Sequence, residues 1–306
     1  MPPMKRSKTE YRGGAVTVLR TTALELAVTR DIGPRVITLR SLRGRAGNLF
    51  LEIPLHQESY GEYRLCGGHR LWHAPEDRER TYQPDNAPLA VRDLPNGLAV
   101  TQPVEPKTGL QKAIKIELRG ARTVRVTHAL TNRGLWTVKC APWALTMLKG
   151  GGYGVLPLFE KGTHSGNLLP GYALVPWSYT DLSRPVWELH RDFIGINVSK
   201  AKTAQKLGIT AYPGWSAYWV AGTTFVKYAR PLAQATYPDL GSCFEVFTNG
   251  AMIELETLGP LAEIAPDKSV SHTEHWTVLD GLAKPSTPAA FAKLAVAVKS
   301  WLKTLR

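Results

Sequence analysis

Val124-Arg-Val-Thr-His-Ala-Leu130 alternates at every second position: Val124, Val126, His128 and Leu130 fall on one face of an extended chain, Arg125, Thr127 and Ala129 on the other. A period of two is the pattern of a half-buried antiparallel strand. Similar short runs rich in Val, Ile and Thr recur at Ala15–Leu19, Leu24–Thr29, Val36–Leu39, Ala113–Leu118 and Thr123–Leu130, bounded by Gly, Pro, Asn or Asp. The 27 glycines and 22 prolines fall between the runs as turn punctuation. These features predict an all-β, mainly antiparallel chain. With no repeat or low-complexity linker, it reads as one domain over residues 1–306, with a flexible amino terminus over 1–12.

A period near 3.6 appears only at the far end. Phe291, Leu294, Val298, Trp301 and Leu305 recur at steps of three and four behind Thr287-Pro288, an N-cap and first-turn proline, so residues 286–306 are expected to form a C-terminal helix. Lys293, Lys299 and Lys303 line much of its other side. Such a helix can lie on a membrane, but in a chain without another anchor the reading favours packing against the β body. No apolar run approaches the roughly 20 residues of a membrane span, and MPPMKRSK is not followed by the apolar core of a secretory signal, so a cytoplasmic location without membrane association is expected.

Against 25 Asp and Glu stand 38 Lys and Arg, a formal charge of +13. They are spread from Lys5 to Arg306 rather than gathered in one block, which favours a merely basic enzyme over a nucleic-acid or polyanion binder. Cys66, Cys140 and Cys243 form an odd set without metal-ligand spacing, and are expected to be reduced and buried. The chain lacks the glycine loops of dinucleotide and phosphate binding and the nucleophile elbow, so no organic cofactor is expected. In Ser-Val-Ser-His272-Thr-Glu274-His275-Trp the first His and the Glu share one strand face and His275 takes the other, which argues against a metal site and for edge residues of a late strand.

Two stretches concentrate chemistry. Cys66-Gly-Gly-His69-Arg70-Leu-Trp72-His73-Ala-Pro-Glu76-Asp77, followed by Tyr82, Asp85 and Asn86, combines close-approach glycines, proton-transfer and fork-shaped donors and a flat apolar face. That combination suits a sugar ring, which shows C–H faces and hydroxyl edges, with Arg70, Trp72, His73 and Asp85 as binding candidates. In Ile253-Glu254-Leu255-Glu256-Thr257 the two carboxylates share a face, where a partly dehydrated Glu can act as a general base or accept hydrogen bonds from hydroxyls. The turn-rich Gly150–Pro185 stretch is the expected rim of the site.

Taken in order, Asp-Ile-Gly-Pro-Arg35-Val-Ile, Gly67-Gly68-His69-Arg70-Leu-Trp72, the strand pair Phe244–Asn249 and Ile253–Thr257, Ala-Pro-Asp-Lys-Ser and Glu274-His-Trp276 resemble the galactose mutarotase/aldose 1-epimerase superfamily, over nearly the whole chain from Val18 to Leu279. The resemblance implies a β-supersandwich of two large antiparallel sheets with a sugar on one concave face. It implies that Arg70 binds hydroxyls, with His69 at a position where the family has Asn, and that Glu256 is the general base. The family's mid-chain histidine, which protonates the ring oxygen, would fall in Cys140-Ala-Pro-Trp143-Ala-Leu-Thr-Met147, where there is none. Either His69 or His73 then serves as the acid, or the protein binds a sugar without epimerising it, with Trp143 stacking on the ring. The expectations are a mutarotase-like enzyme with Glu256 and His69 catalytic and a sugar or sugar derivative as partner, a non-catalytic sugar-binding module, or, from the charge alone, a polyanion binder.

Overall fold

In the computed structural model, which describes residues 4–305, the alternating runs are paired into two large sheets. The first runs Lys5–Tyr11, Gly14–Arg20, Leu24–Thr29, Arg35–Ser41, Gly68–Ala74, Val138–Lys149, Met252–Leu258, Phe244–Thr248, Gln205–Ile209 and Leu174–Pro176, with Ala262–Ile264 beside the start of Val138–Lys149. The second runs Trp187–Leu189, Phe193–Asn197, Tyr153–Pro157, Trp215–Val220, Thr223–Tyr228, Ser269–Asp280, Thr123–Asn132, Leu110–Arg119, Gly97–Thr101 and Ala90–Leu94. Neighbouring strands run antiparallel, and the five runs read from sequence all lie inside strands.

Between the sheets lies the apolar core. Val124, Val126 and Leu130 are fully buried there, as the alternation requires, and Phe50 meets Phe225 and Trp276 edge-on, with centroids 6.0 Å apart in both pairs. His128 shares that face and is equally buried. Cys66, Cys140 and Cys243 are buried and unpaired.

Two sequence expectations change. Much of the stretch expected to be flexible is an edge strand, Lys5–Tyr11, paired with Gly14–Arg20 through a turn in which Arg12 and Gly13 both have positive φ (51° and 83°), the tight-hairpin geometry that suits strand twist; residues 1–3 lie outside the described residues. The Ser269–Asp280 strand is central rather than an edge, held between Thr223–Tyr228 and Thr123–Asn132. The terminal helix spans Pro288–Lys303, opened by the Thr287 hydroxyl accepting from the Ala290 amide. Its apolar face, Phe291, Leu294, Val298 and Trp301, packs on Tyr153, Val155, Phe193 and Trp215 of the second sheet, so that face is not free for a membrane. Each such side chain contributes about 1.5–3 kcal/mol relative to exposure. Among the described residues, no helix is long and apolar enough to cross a membrane.

Candidate functional site

Alternation along Gly68–Ala74 sends successive side chains to opposite faces of the first sheet. His69 meets His128 of the second sheet, whereas Arg70 and Trp72 point away from that sheet. Strand register gathers more residues on the outer face. Leu145 lies opposite both Arg70 and Glu256, Trp143 opposite Trp72, Glu245 opposite Glu256, and Phe247 opposite both Glu254 and Lys206. Five neighbouring strands thus converge on one patch.

The patch floors a cavity of about 230 Å³ lined by Arg70, Trp72, Trp143, Tyr179, Lys206 and Glu254, among others. Arg70 Nη2 donates to Glu254 Oε1 at 2.9 Å, and the guanidinium lies over the Trp72 ring, 4.1 Å from its centroid. Lys206 Nζ sits 2.8 Å from Glu245 and 3.0 Å from Glu256, and 4.6 Å from the ring centroids of both Trp143 and Trp177. Trp143 Nε1 donates to Glu256 Oε2 at 2.9 Å. Arg70 Nε and Nη1 and Glu256 Oε1 are buried without a partner. Buried ion pairs add little net stability compared with apolar packing, so two of them beside one cavity, with donors left over, point to chemistry rather than to folding.

Burial raises the Glu254 carboxyl above its ordinary range; Arg70 pulls it back and Glu256 pushes it further up. Burial alone would lower the Lys206 ammonium, but Glu245 and Glu256 outweigh it and hold the lysine protonated. Glu245 is pushed well up by burial, against the pull of Lys206. Burial also moves the Tyr179 phenol up to about 12. The patch therefore holds two carboxyls raised by burial, Glu254 and Glu245, beside a lysine and a tyrosine that hold their protons.

Not every expected residue belongs to it. Trp72, Trp143, Arg70 and Glu254 line the cavity, while Glu256 lies below, clasped by Trp143 and Lys206. Asp85 stands behind the wall: it pairs with Arg35 at 2.6 Å, Arg35 donates to the Tyr63 hydroxyl at 2.9 Å, and Trp72 Nε1 donates to that same hydroxyl at 2.7 Å. It is linked to Trp72 through Arg35 and Tyr63 and does not line the cavity. His69 and His73 are corrections. Both point from the opposite face toward the second sheet; His73 is buried near Glu105 and Lys112, with its pKa driven down to about 3 by burial and then by Lys112. Neither lines the outer cavity.

From the Gly150–Pro185 stretch, Trp177 and Tyr179 reach the site, whereas Tyr153–Pro157 is a strand of the second sheet. The residue that sequence reading missed altogether is Lys206. Its signal was a lone cation within the otherwise uncharged Gln205-Lys-Leu-Gly-Ile209, whose burial such a run implies.

On the inner face His69 belongs to a separate network. His128 Nδ1 faces the His272 carbonyl at 3.0 Å, which can only accept, so that nitrogen carries the proton and Nε2 offers its lone pair. His69 Nε2, 2.7 Å away, is then the donor, and its Nδ1 accepts from the Thr146 hydroxyl at 2.9 Å. Glu274 is paired with Lys227 at 2.8 Å and accepts from Trp276 Nε1 at 2.8 Å and from Thr257. His69, His128 and Glu274 bring their ligand atoms within 4.8 Å of one another, the spacing of a cation cluster, yet these hydrogen bonds already use every one of those atoms. Burial lowers all three of His69, His128 and His272, the last to about 3.

No protein-family model matches the sequence, and no curated protein matches it. Solved structures do. A candidate aldose 1-epimerase from Klebsiella pneumoniae superposes with a TM-score of 0.62 at 10% identity, over 96% of this chain and 88% of its own. Galactose mutarotase-like proteins from Lactobacillus casei and Clostridium acetobutylicum both give a TM-score of 0.57, at 8% and 10% identity, over 90% of this chain and 100% and 99% of theirs. The likeness lies in the arrangement of strands rather than in residues: the chain has the galactose mutarotase-like fold.

Proposed function

We propose that the outer-face cavity binds a sugar ring and that the protein is a mutarotase-like enzyme acting at the anomeric carbon. The observation that carries this reading is the convergence of Arg70, Glu254 and Lys206 on one cavity with Trp72 and Trp143, Arg70 lying over the Trp72 ring and Lys206 over the Trp143 ring. Aromatic faces match the C–H faces of a pyranose, and the unpartnered guanidinium nitrogens of Arg70 match its hydroxyl oxygens. Mutarotation needs a proton taken from the anomeric hydroxyl and the charge left on the ring oxygen met by a proton or a hydrogen-bond donor. Glu254, inside the cavity with a raised pKa, is the base in this proposal, replacing the deeper Glu256. As the ring C–O bond breaks, the Lys206 ammonium stabilises the alkoxide on the ring oxygen by a hydrogen bond, reclosure after rotation takes the proton back from Glu254 onto the new anomeric hydroxyl, and Glu245 and Glu256 hold the ammonium in place.

A second reading, sugar binding without turnover, is favoured by one specific observation: no histidine lines the cavity, and its candidate donors Lys206 and Tyr179 hold their protons tightly. Polarimetry of freshly dissolved aldoses, paired with calorimetric binding, separates the two. Faster approach to anomeric equilibrium, lost in Glu254→Gln, supports the enzyme. Binding without acceleration establishes the module, and neither result would remove the sugar reading.

A further inference from the structure

The sugar cavity opens into a wider vestibule of about 1190 Å³, and Tyr60, Glu76 and Tyr82 line both spaces and so form the neck between them. The vestibule wall carries Glu62, Glu76, Asp77, Glu79 and Asp239 against Arg78 and Lys107. Asp77 lies 3.5 Å from Arg80 and Glu79 lies 3.7 Å from Lys107, whereas Glu62, Glu76 and Asp239 have no ion-pair partner among the described residues. In a chain of charge +13 this is a local inversion of sign. With a screening length of about 8 Å at physiological ionic strength, a ligand in the neck feels these carboxylates more than the basic surface elsewhere.

The neck is aromatic as well as acidic. Tyr82 stands 4.8 Å, centroid to centroid, from both Tyr60 and Trp72, and its hydroxyl donates to Glu76 Oε1, which leaves the other carboxylate oxygen to a ligand. A carboxylate among aromatic faces favours an ammonium through Coulomb attraction and the ring quadrupole, and repels a phosphate. Deeper in, Arg70 is 2% exposed with Nε and Nη1 unpartnered, so the inner end of the ligand bears oxygen acceptors. The inner cations do not cancel the preference, because Arg70 is paired with Glu254, and Lys206 with two carboxylates.

Building on the sugar reading, we infer that the substrate class is a sugar carrying a protonated amine, its hydroxyls against Arg70 and its ammonium at Glu76 beside Tyr60 and Tyr82, and that phosphorylated sugars are excluded. The test is calorimetric titration of the full chain with glucosamine, glucose, N-acetylglucosamine and glucose 6-phosphate at 150 mM salt, repeated with Glu76→Gln. Glucosamine should bind about tenfold tighter than glucose and N-acetylglucosamine, and the phosphate should not bind. In Glu76→Gln the ratio of glucosamine to glucose affinity should fall to about one, with an unchanged circular dichroism spectrum showing that the variant is folded. Glucose binding as tightly as glucosamine, or the phosphate binding tightest, would overturn the amine assignment and leave the sugar cleft standing. Failure of all four to bind would overturn both.

Discussion

His69 and Arg70 are neighbours in the chain and lie on opposite faces of one strand: Arg70 sits 2.9 Å from Glu254 beside the outer cavity, while His69 sits 2.7 Å from His128 between the sheets. One residue thus belongs to the cleft and the other to the scaffold, and substitutions at the two should read out differently.

For Arg70→Ala the expectation is a double loss. Removing the guanidinium strands the buried Glu254 carboxylate, which costs about 3–5 kcal/mol of stability, and it removes unpartnered donors of a residue that lines the cavity. The double variant Arg70→Met, Glu254→Gln should recover most of the stability, seen as denaturation midpoint, without recovering sugar affinity.

His69→Asn should behave as a packing and hydrogen-bond defect. Breaking the links to Thr146 and His128 leaves polar atoms stranded between the sheets, at about 1–3 kcal/mol. Mutarotation kcat and sugar affinity of the folded fraction should stay at wild-type values; a large loss of kcat at unchanged stability would return His69 to the chemistry.

Glu254→Gln and Glu256→Gln separate the two carboxylates of one strand. The first should abolish any acceleration of mutarotation, a loss of about a hundredfold or more, while keeping the fold. The second weakens the grip on Lys206 and on Trp143 Nε1, and should appear first as a fall in thermal midpoint. If Glu256→Gln alone silenced turnover, the deeper carboxylate would be the base.

Acid should weaken the fold earlier than carboxylate titration alone would. His69, His73, His128 and His272 all have folded pKa values below the ordinary 6.5, with burial the leading cause. Each depressed group contributes stability that is present above the unfolded pKa and lost as pH falls toward the folded value, at up to about 1.4 kcal/mol per pH unit. The raised carboxyls Asp239, Glu245 and Glu254 pull the other way, but with His275 also lowered by burial they are three against five. Urea unfolding at stepped pH should show stability falling between about pH 6.5 and 4.5. A level profile there would contradict the buried neutral histidines.

The β architecture was legible because alternation is a local signal: Val124, Val126 and Leu130 announce a buried face without knowledge of any partner. The same arithmetic showed that Glu254 and Glu256 share a face, yet it could not show that Trp143 and Lys206 cover one of them, since that depends on strands far apart in sequence. His69 was misplaced for a related reason. A cluster dense in functional side chains reads as one site, although a strand deals its members alternately to two environments. His128 was the available clue, a polar residue on the apolar side of Val124–Leu130 that requires a buried partner.

Lys227 reaches across from the second sheet and donates to the carbonyls of Ala144 and Leu255, at 3.1 and 2.9 Å, while pairing with Glu274. Those carbonyls belong to the two strands that carry Trp143 and Glu254. One ammonium therefore rivets the two floor strands together from beneath, at a fully buried point, and a relative slide of Trp143 against Glu254 would have to break its bonds. The floor of the outer cavity is thus keyed to the second sheet, whereas Trp177 and Tyr179 come over it from a segment outside the paired strands.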